Sequence, residues 1–489
     1  MSVLSGIEPA KVFEYFEAIC GIPHGSGNTS AISEYLVDFA IDHGLYFIQE
    51  DNNNVVIYKD GCLGGENSET VILQGHMDMV CEKLSDCDID FTKDGLRLIL
   101  KDGVISADGT TLGGDDGIAV AYMLAILDSE NIAHPPLECV FTVDEEIGLL
   151  GAAALNMKLL TGRKLLNIDS EEEGHIIVSC AGGALVEMHY PFIRRGAQGT
   201  KYKLQIKGLT GGHSGSEIDK GRANADILMA QMLKTLFYAD DSLRIIALEG
   251  GFKDNAIPVA AESYFVSRNE DILREQLSEL TDKFKDEFKS TDPNMDIELT
   301  KIENDTDIPE KISRLYPLDE MNNLNLIMLL GSLPNGIKKM SPHMEGLVQT
   351  SLNLGIMNTE ENEMVFSYCV RSSVSKEKEE MIAEMDELIK SVGGSIAVFG
   401  DYPAWEYKED SQLRKIMSES YTELFQKELC FEAMHAGVEC GVFAGGLPGL
   451  DAVSFGPDIF DIHTPQERMP VDSVKRTWDF IVNILGRLI

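Results

Sequence analysis

The chain of 489 residues is longer than one compact core ordinarily supports, so two domains are expected. It carries 41 basic against 81 acidic residues, and a net charge of −40 repels phosphate backbones and anionic lipid headgroups, which excludes nucleic-acid and membrane partners while favouring cations. No apolar run reaches the roughly 18 residues needed to span a bilayer, and MSVLSGIEPAKVFEYF at the start has no basic segment or cleavage-site pattern, which points to the cytoplasm.

Along the chain, residues 8–20 (EPAKVFEYFEAIC) have apolar side chains at helical spacing, and alternating segments follow near 46–58. TVILQGH at 70–76 reads as a short buried strand, GIAVAYMLAILDSE at 117–130 as a helix and LECVFTV at 137–143 as a strand. A helix is expected from about 148 and a further strand, KLLNI, at 164–168. Strands alternating with helices at this spacing describe an α/β domain with a largely parallel sheet sandwiched by helices. Ligands of such sheets sit at the carboxyl ends of the strands.

From about 187 to 397 the texture changes to amphipathic strands and charged helices. Two stretches there resemble each other, AESYFVSRNEDILREQLSEL at 261–280 and MVFSYCVRSSVSKEKEEMIAEM at 364–385. Each is a strand ending in an arginine, Arg268 or Arg371, followed by an amphipathic helix. They suggest a duplicated α+β module, residues 187–397, inserted into a discontinuous domain formed by 1–186 and 398–489. The nine cysteines are scattered without a CxxC pair, and Cys81 and Cys87, the closest two, suit neither a zinc knuckle nor a disulfide framework.

The candidate chemistry falls at strand ends. In His76-Met77-Asp78, alternate residues point to one side, so an imidazole and a carboxylate that orients it can face the same site. ADGTTLGGDDGIAVA at 107–121 is a glycine-rich turn that places Asp115 and Asp116 at a helix start, where acids also serve as simple caps. It is no phosphate loop: it lacks Gly-Lys-Ser/Thr, and two aspartates oppose an anion. FTVDEEIG at 141–148 sets three acids after an apolar strand, NIDSEEEG at 167–174 repeats the arrangement with Asp169, and SFGPDIFDIHTPQE at 454–467 supplies His463. Each motif alone reads as ordinary structure. Together they give two histidines and several carboxylates at successive strand ends, a donor set suited to zinc, cobalt or manganese. The residues do not decide between Asp115 and Asp116, or between Glu145 and Glu146.

The set HMDMV, LGGDDGIAVA, FTVDEEIG, NIDSEE and GPDIFDIHTPQE resembles the M20 metallopeptidases, and among them the Xaa-His dipeptidases. GGHSGSEIDKGRANA at 211–225, GGFKDNAIP at 250–258, DYPAWE at 401–406 and HAGVECGVF at 435–443 extend the resemblance in order over essentially the whole chain. It implies a zinc-exopeptidase-like catalytic domain with an inserted lid domain and a site for two divalent metal ions. His76 and Asp169 would hold one ion, Glu146 and His463 the other, with Asp115 bridging them across a bond to Asp116 that is often cis in the family. Asp78 would orient His76, and Glu145 would be the general base, taking a proton from a water bridged by the metals and passing it to the leaving amine.

For the lid, the resemblance implies that His213 helps stabilise the oxyanion, that Asn255 and Arg371 hold the backbone or free carboxylate of a small peptide, and that His435 and Glu439 line the pocket. Arg268 occupies the place comparable to Arg371 in the first module. That module already carries the His213 and Asn255 motifs, so the doubled lid is compatible with a functional monomer or with a homodimer paired through the lid. The expected function is dipeptide hydrolysis, Xaa-His substrates included. The alternatives are another M20 activity (tripeptidase, carboxypeptidase or N-acyl-amino-acid deacylase), a non-catalytic metal-dependent binding protein, which should have lost Glu145 or a ligand, and a nucleotide-binding protein, which the acids of GGDDG oppose.

Overall fold

A computed structural model describes residues 2–304, 307–344 and 346–489. The chain divides into two units: Met1–Cys180 with Trp405–Ala433 and Val438–Ile489, and Ala181–Ala404 with Met434–Gly437. The second is wider than residues 187–397. Its outermost strands in sequence, Gly182–Pro191 and Ser395–Tyr402, pair with each other, so the sheet itself sets the limits. Met434–Gly437 joins it through a hydrogen bond from the Ala181 amide to the Met434 carbonyl.

In the first unit, strands β1 (Val71–His76), β2 (Leu137–Thr142), β3 (Lys164–Asn167) and β4 (Asp451–Ser454) are parallel and lie in the order β2-β1-β3-β4. Three parallel pairings join these four. Val55–Lys59 pairs antiparallel with β2, Tyr46–Gln49 with Val55–Lys59, and His175–Cys180 with β4, while Cys430–Met434 forms the far edge. Every residue of β1 and β2 is buried, as expected of central strands covered on both faces. Their polar side chains are paired inside: Gln74 donates to Thr142, Asn167 donates to Gln74, and Glu138 accepts from the Thr161 and Gly162 amides.

Helix α1 (Gly114–Asp128) is apolar on all sides after its first turn and buried from Gly114 to Leu127, the pattern of a helix enclosed in a core. It lies on β1 closely enough that a Cβ at Gly75 would come 2.6 Å from that of Ala119, so only glycine fits there. The helix Glu439–Gly446 covers the opposite face through Cys440 and Phe443, which pack with Ile72, Val140 and Leu165. Because the four central strands run the same way, His76, Glu145–Glu146, Asp169 and the segment leading to His463 all follow strand ends on one edge.

The second unit holds a nine-stranded sheet whose pairings are antiparallel. One strand, Gly336–Met340, pairs with Val348–Thr359, and the other eight form two βαββαβ runs. One comprises strands Thr200–Lys207, Arg244–Gly250, Ala261–Ser267 and Asp296–Lys301 with helices Ala225–Ala239 and Glu270–Glu287. The other comprises Gly182–Pro191, Val348–Thr359, Glu363–Ser372 and Ser395–Tyr402 with helices Glu320–Leu330 and Ser375–Ser391. Both have strand order 4-1-3-2, and they join along their second strands, Arg244–Gly250 beside Val348–Thr359. The first run is threaded between the first strand and first helix of the second. The similar segments at 261–280 and 364–385 are the third strand and second helix of each run. Among the described residues, no helix is long and apolar enough to cross a membrane, and all nine cysteines are free.

Candidate active site

At the carboxyl edge of β1–β4, Asp115 stands between two histidines. Its Oδ1 is 3.1 Å from His76 Nε2 and its Oδ2 is 3.1 Å from His463 Nε2. His76 Nε2 is also 3.5 Å from Asp169 Oδ1, and His463 Nε2 is 3.0 Å from Glu146 Oε1. The cluster thus divides into halves, His76 with Asp169 and His463 with Glu146, that share Asp115. Donor atoms within 4.8 Å of one another also group His76 with Asp116 and Asp169, His76 with Glu145 and Glu146, and Asp115 with Asp169 and Glu171.

Local backbone geometry separates the two aspartates that sequence alone leaves equivalent. The Asp115–Asp116 peptide is cis. Asp116 turns back toward β1, where its Oδ2 accepts the His76 amide at 3.1 Å, and Asp115 faces the histidines. The turn before them is held by Glu467: its Oε2 accepts the Leu112 and Gly113 amides at 2.7 and 3.2 Å, and its Oε1 accepts those of Gly114 and Asp115 at 2.8 and 3.4 Å. Asp144 and His463 have positive φ, 54° and 60°, which for side chains other than glycine costs of order 1–3 kcal/mol each and is kept only where surroundings enforce it.

Around this cluster, His76 Nδ1 lies 3.0 Å from the Asp78 carbonyl oxygen and 3.5 Å from the Asp78 carboxylate. The main chain therefore orients the imidazole more closely than the expected carboxylate does, and leaves Nε2 to face the acids. The Asp78 carboxylate instead accepts from Ser26 Oγ at 2.8 Å and from the Glu145 amide at 3.1 Å, which ties the turn after β1 to the turn after β2. Glu439 is fully buried; its Oε2 accepts from Gln74 and Thr142 at 2.5 and 2.8 Å, and its Oε1 has no protein partner.

The electrostatics show a surplus of buried negative charge. Burial, reinforced by Asp169 and neighbouring acids against the opposing pull of His76, pushes the Glu145 carboxyl up to about 9 and that of Glu439 to about 7. Burial with Asp115 and Asp169 raises Glu171 to about 8. Asp116 is also raised, by burial and by Asp169. Burial would raise Asp115 too, but hydrogen bonds to His463 and His76 hold it below the ordinary range. Hydrogen bonds to Asp115 and Glu146 raise His463 to about 10, and the acids facing His76 raise it against its own burial. Such a cluster can balance its charge with protons on these groups or with cations in their place.

In the second unit, Gly212–His213 pairs with Ala256–Ile257, and the Ser214 amide donates to the Asn255 carbonyl, so His213 and Asn255 share one ribbon. His213 Nδ1 accepts the amides of Gly215 and Ser216, each at 3.2 Å, which fixes the neutral tautomer with Nε2–H available to donate. Arg371 is buried and donates to the Tyr402 hydroxyl at 3.2 Å, and its Nε has no protein partner. Its charge, after burial, lowers both His213 and His435, the latter to about 4. His435 Nε2 lies 2.7 Å from Ser351 Oγ. Arg268, at the equivalent place in the other run, is exposed and donates to the Gln198 carbonyl.

The sequence profile of peptidase family M20/M25/M40 matches residues 72–487, most of the chain. The chain belongs to the M20 peptidase family. It is 34% identical to the cytosol non-specific dipeptidase of Escherichia coli, over 100% of this chain and 99% of that protein. The crystal structure of aminoacylhistidine dipeptidase from Vibrio alginolyticus superposes with a TM-score of 0.92 at 34% identity, covering 99% of this chain and 98% of that one. A tripeptidase from Staphylococcus aureus, 18% identical over 99% of each chain with a TM-score of 0.55, shares the fold.

Three side chains of this M20 site are not singled out by sequence reasoning. Glu467 lies inside the quoted GPDIFDIHTPQE motif, and its signal is that a glycine turn with several free amides needs an acceptor. Glu171 is one of three consecutive acids, and only the turn after β3 brings it within reach of Asp115 and Asp169. Ser26, in the loop after the first helix, carries no motif at all.

Proposed function

We propose that the chain is a dinuclear metal-dependent dipeptidase whose substrates include Xaa-His dipeptides. The observation that carries this reading is the Asp115 carboxylate held between His76 and His463, with Asp169 on one side and Glu146 on the other. Five side chains of imidazole and carboxylate type suit zinc, with cobalt and manganese as substitutes. The buried surplus of carboxylates and the unpartnered Glu439 Oε1 fit a centre designed to carry positive charge. Two divalent ions held there would make water nucleophilic at neutral pH and polarise the scissile carbonyl.

The side chains supply the rest. Glu145 follows β2, its amide is fixed by Asp78, and the histidines lie nearer to Asp115, Asp169 and Glu146 than to it. It is assigned as the general base that removes a proton from the attacking water and delivers it to the leaving amine. His213, with Nε2–H available, is assigned as a donor to the developing oxyanion. Arg371, with a buried guanidinium whose Nε is unpaired, suits the free carboxylate of a short peptide, and Asn255 its backbone. His435 is assigned to the pocket lining, whereas Glu439, fully buried and hydrogen-bonded to Gln74 and Thr142, is assigned to support of the acid cluster from within the core. The name of the Escherichia coli relative, a cytosol non-specific dipeptidase, supports a cytoplasmic enzyme.

The test is hydrolysis of carnosine, other Xaa-His dipeptides, Leu-Gly, tripeptides and N-acetylated amino acids by metal-loaded and chelator-treated protein. Dipeptide cleavage that chelation abolishes is expected. Cleavage that survives chelation, or none of any dipeptide, overturns the reading. Preference for tripeptides or N-acetylated amino acids moves the chain to another M20 specificity.

A further inference from the structure

The first unit carries a second group of metal-type donors that shares no residue with the cluster around Asp115. Cys430 and Glu432 alternate along the edge strand Cys430–Met434, so their side chains share a face. His175 opens the neighbouring strand, His175–Cys180, and the hydrogen bond from the Cys430 amide to the Gly174 carbonyl brings the two together. The three converge on one atom: Glu432 Oε1 is 2.8 Å from His175 Nδ1 and 3.5 Å from Cys430 Sγ. All three donor atoms lie within 4.8 Å of one another. Bonds of about 2.0–2.3 Å at tetrahedral angles put the ligands of a zinc ion about 3.3–3.6 Å apart, so the trio needs to open by less than an ångström on its short side.

A second observation sets this group apart from a chance surface contact. The other imidazole nitrogen of His175, Nε2, lies 3.2 Å from Glu172 Oε1. That is the carboxylate–histidine–metal arrangement, in which an outer acid takes one N–H of the ring and thereby fixes which nitrogen faces the metal. We propose that His175, Cys430 and Glu432 form a third cation site, selective for a thiophilic divalent ion of the zinc class, with Glu172 as the orienting acid. A thiol ligand distinguishes it from the histidine–carboxylate cluster, which contains no sulfur. Binding releases the thiol proton and the Nδ1 proton of any imidazolium to solvent, and leaves a thiolate, a neutral imidazole and a carboxylate on the ion. All three ligands are solvent-accessible, so the ion needs no channel, and it would fasten the sheet's edge strand to its neighbour.

Cobalt(II) titration of the chelated full chain tests this, followed by near-ultraviolet absorbance, because thiolate-to-cobalt charge transfer arises only where a cysteine is a ligand. A charge-transfer band is expected on titration, lost in Cys430→Ser, with bound cobalt falling by one equivalent per chain and peptidase activity unchanged. Glu172→Gln should weaken the site by about tenfold while leaving the band in place at saturation. Saturation with cobalt without a thiolate band, or a band that persists in Cys430→Ser, overturns the proposal. Because the band is independent of peptide hydrolysis, it also reads out if the activity proposed above is wrong.

Discussion

Replacing Glu467 by glutamine separates positioning of the site from stability of the fold. Glu467 is almost fully buried, and each of its oxygens receives two backbone amides of the turn that presents Asp115. Glutamine keeps the shape but turns one oxygen into an NH2 group, so two amides lose their acceptor and meet a donor whichever way the side chain is placed. A buried N–H without a partner costs about 1–3 kcal/mol. Two cost about 2–6 kcal/mol, less whatever the turn recovers by moving. If that movement displaces Asp115, even the lower bound of about 2 kcal/mol corresponds to about a 30-fold loss, since each 1.36 kcal/mol is tenfold. Metal affinity by competition with a fluorescent chelator, kcat/KM on a dipeptide and thermal melting should be measured together. All three should fall. A lower melting temperature with metal affinity and kcat/KM both unchanged would refute the claim that Glu467 positions Asp115.

Glu145→Gln should lower kcat by about 10²–10⁴ while the protein retains its metals, checked by steady-state kinetics with metal analysis of the same sample. His213→Ala should cost about 10²–10³ in kcat with little change in melting temperature, as loss of one oxyanion donor does. Stability of the chelated protein should decline as pH rises from about 5 to 9. Glu439, Glu171 and Glu145 have folded-state values of about 7, 8 and 9 against an ordinary 4.5, so the unfolded chain releases these protons first and is favoured increasingly with pH. His463, raised to about 10 from 6.5, acts in the same direction, its contribution complete below about 6.5 and lost toward 10. Melting curves across that range with and without zinc check this: metal should flatten the decline, and binding should release protons detectable by calorimetry in buffers of different ionisation enthalpy.

The strand ends and their order were legible because buried parallel strands are continuous apolar runs and the acids that interrupt them have no structural reason to cluster. His76, Asp115, Glu146, Asp169 and His463 all emerge from such interruptions, and they do lie together. What sequence could not supply is which way each side chain turns. The choice of Asp115 over Asp116 depends on backbone that sends one carboxylate to the His76 amide, and the support of His76 comes chiefly from a carbonyl, which no motif records. Glu467 acts on a turn more than 350 residues away in sequence, a separation across which no local pattern speaks. In the second unit, the likeness of 261–280 to 364–385 hinted at duplication. The nesting of one run inside the other was hidden, because Gly182–Pro191 and Glu320–Leu330 belong to one run but are separated by the whole of the other. Arg268 and Arg371 end equivalent strands, and burial distinguishes them.

A crystal structure of the zinc-loaded protein, with anomalous difference maps collected on both sides of the zinc absorption edge, addresses the central claim most directly. Two peaks about 3.5–4 Å apart are expected, with one oxygen of Asp115 on each, His76 and Asp169 on the first and Glu146 and His463 on the second. A single peak in that cluster, or two peaks that Asp115 does not join, would contradict the account.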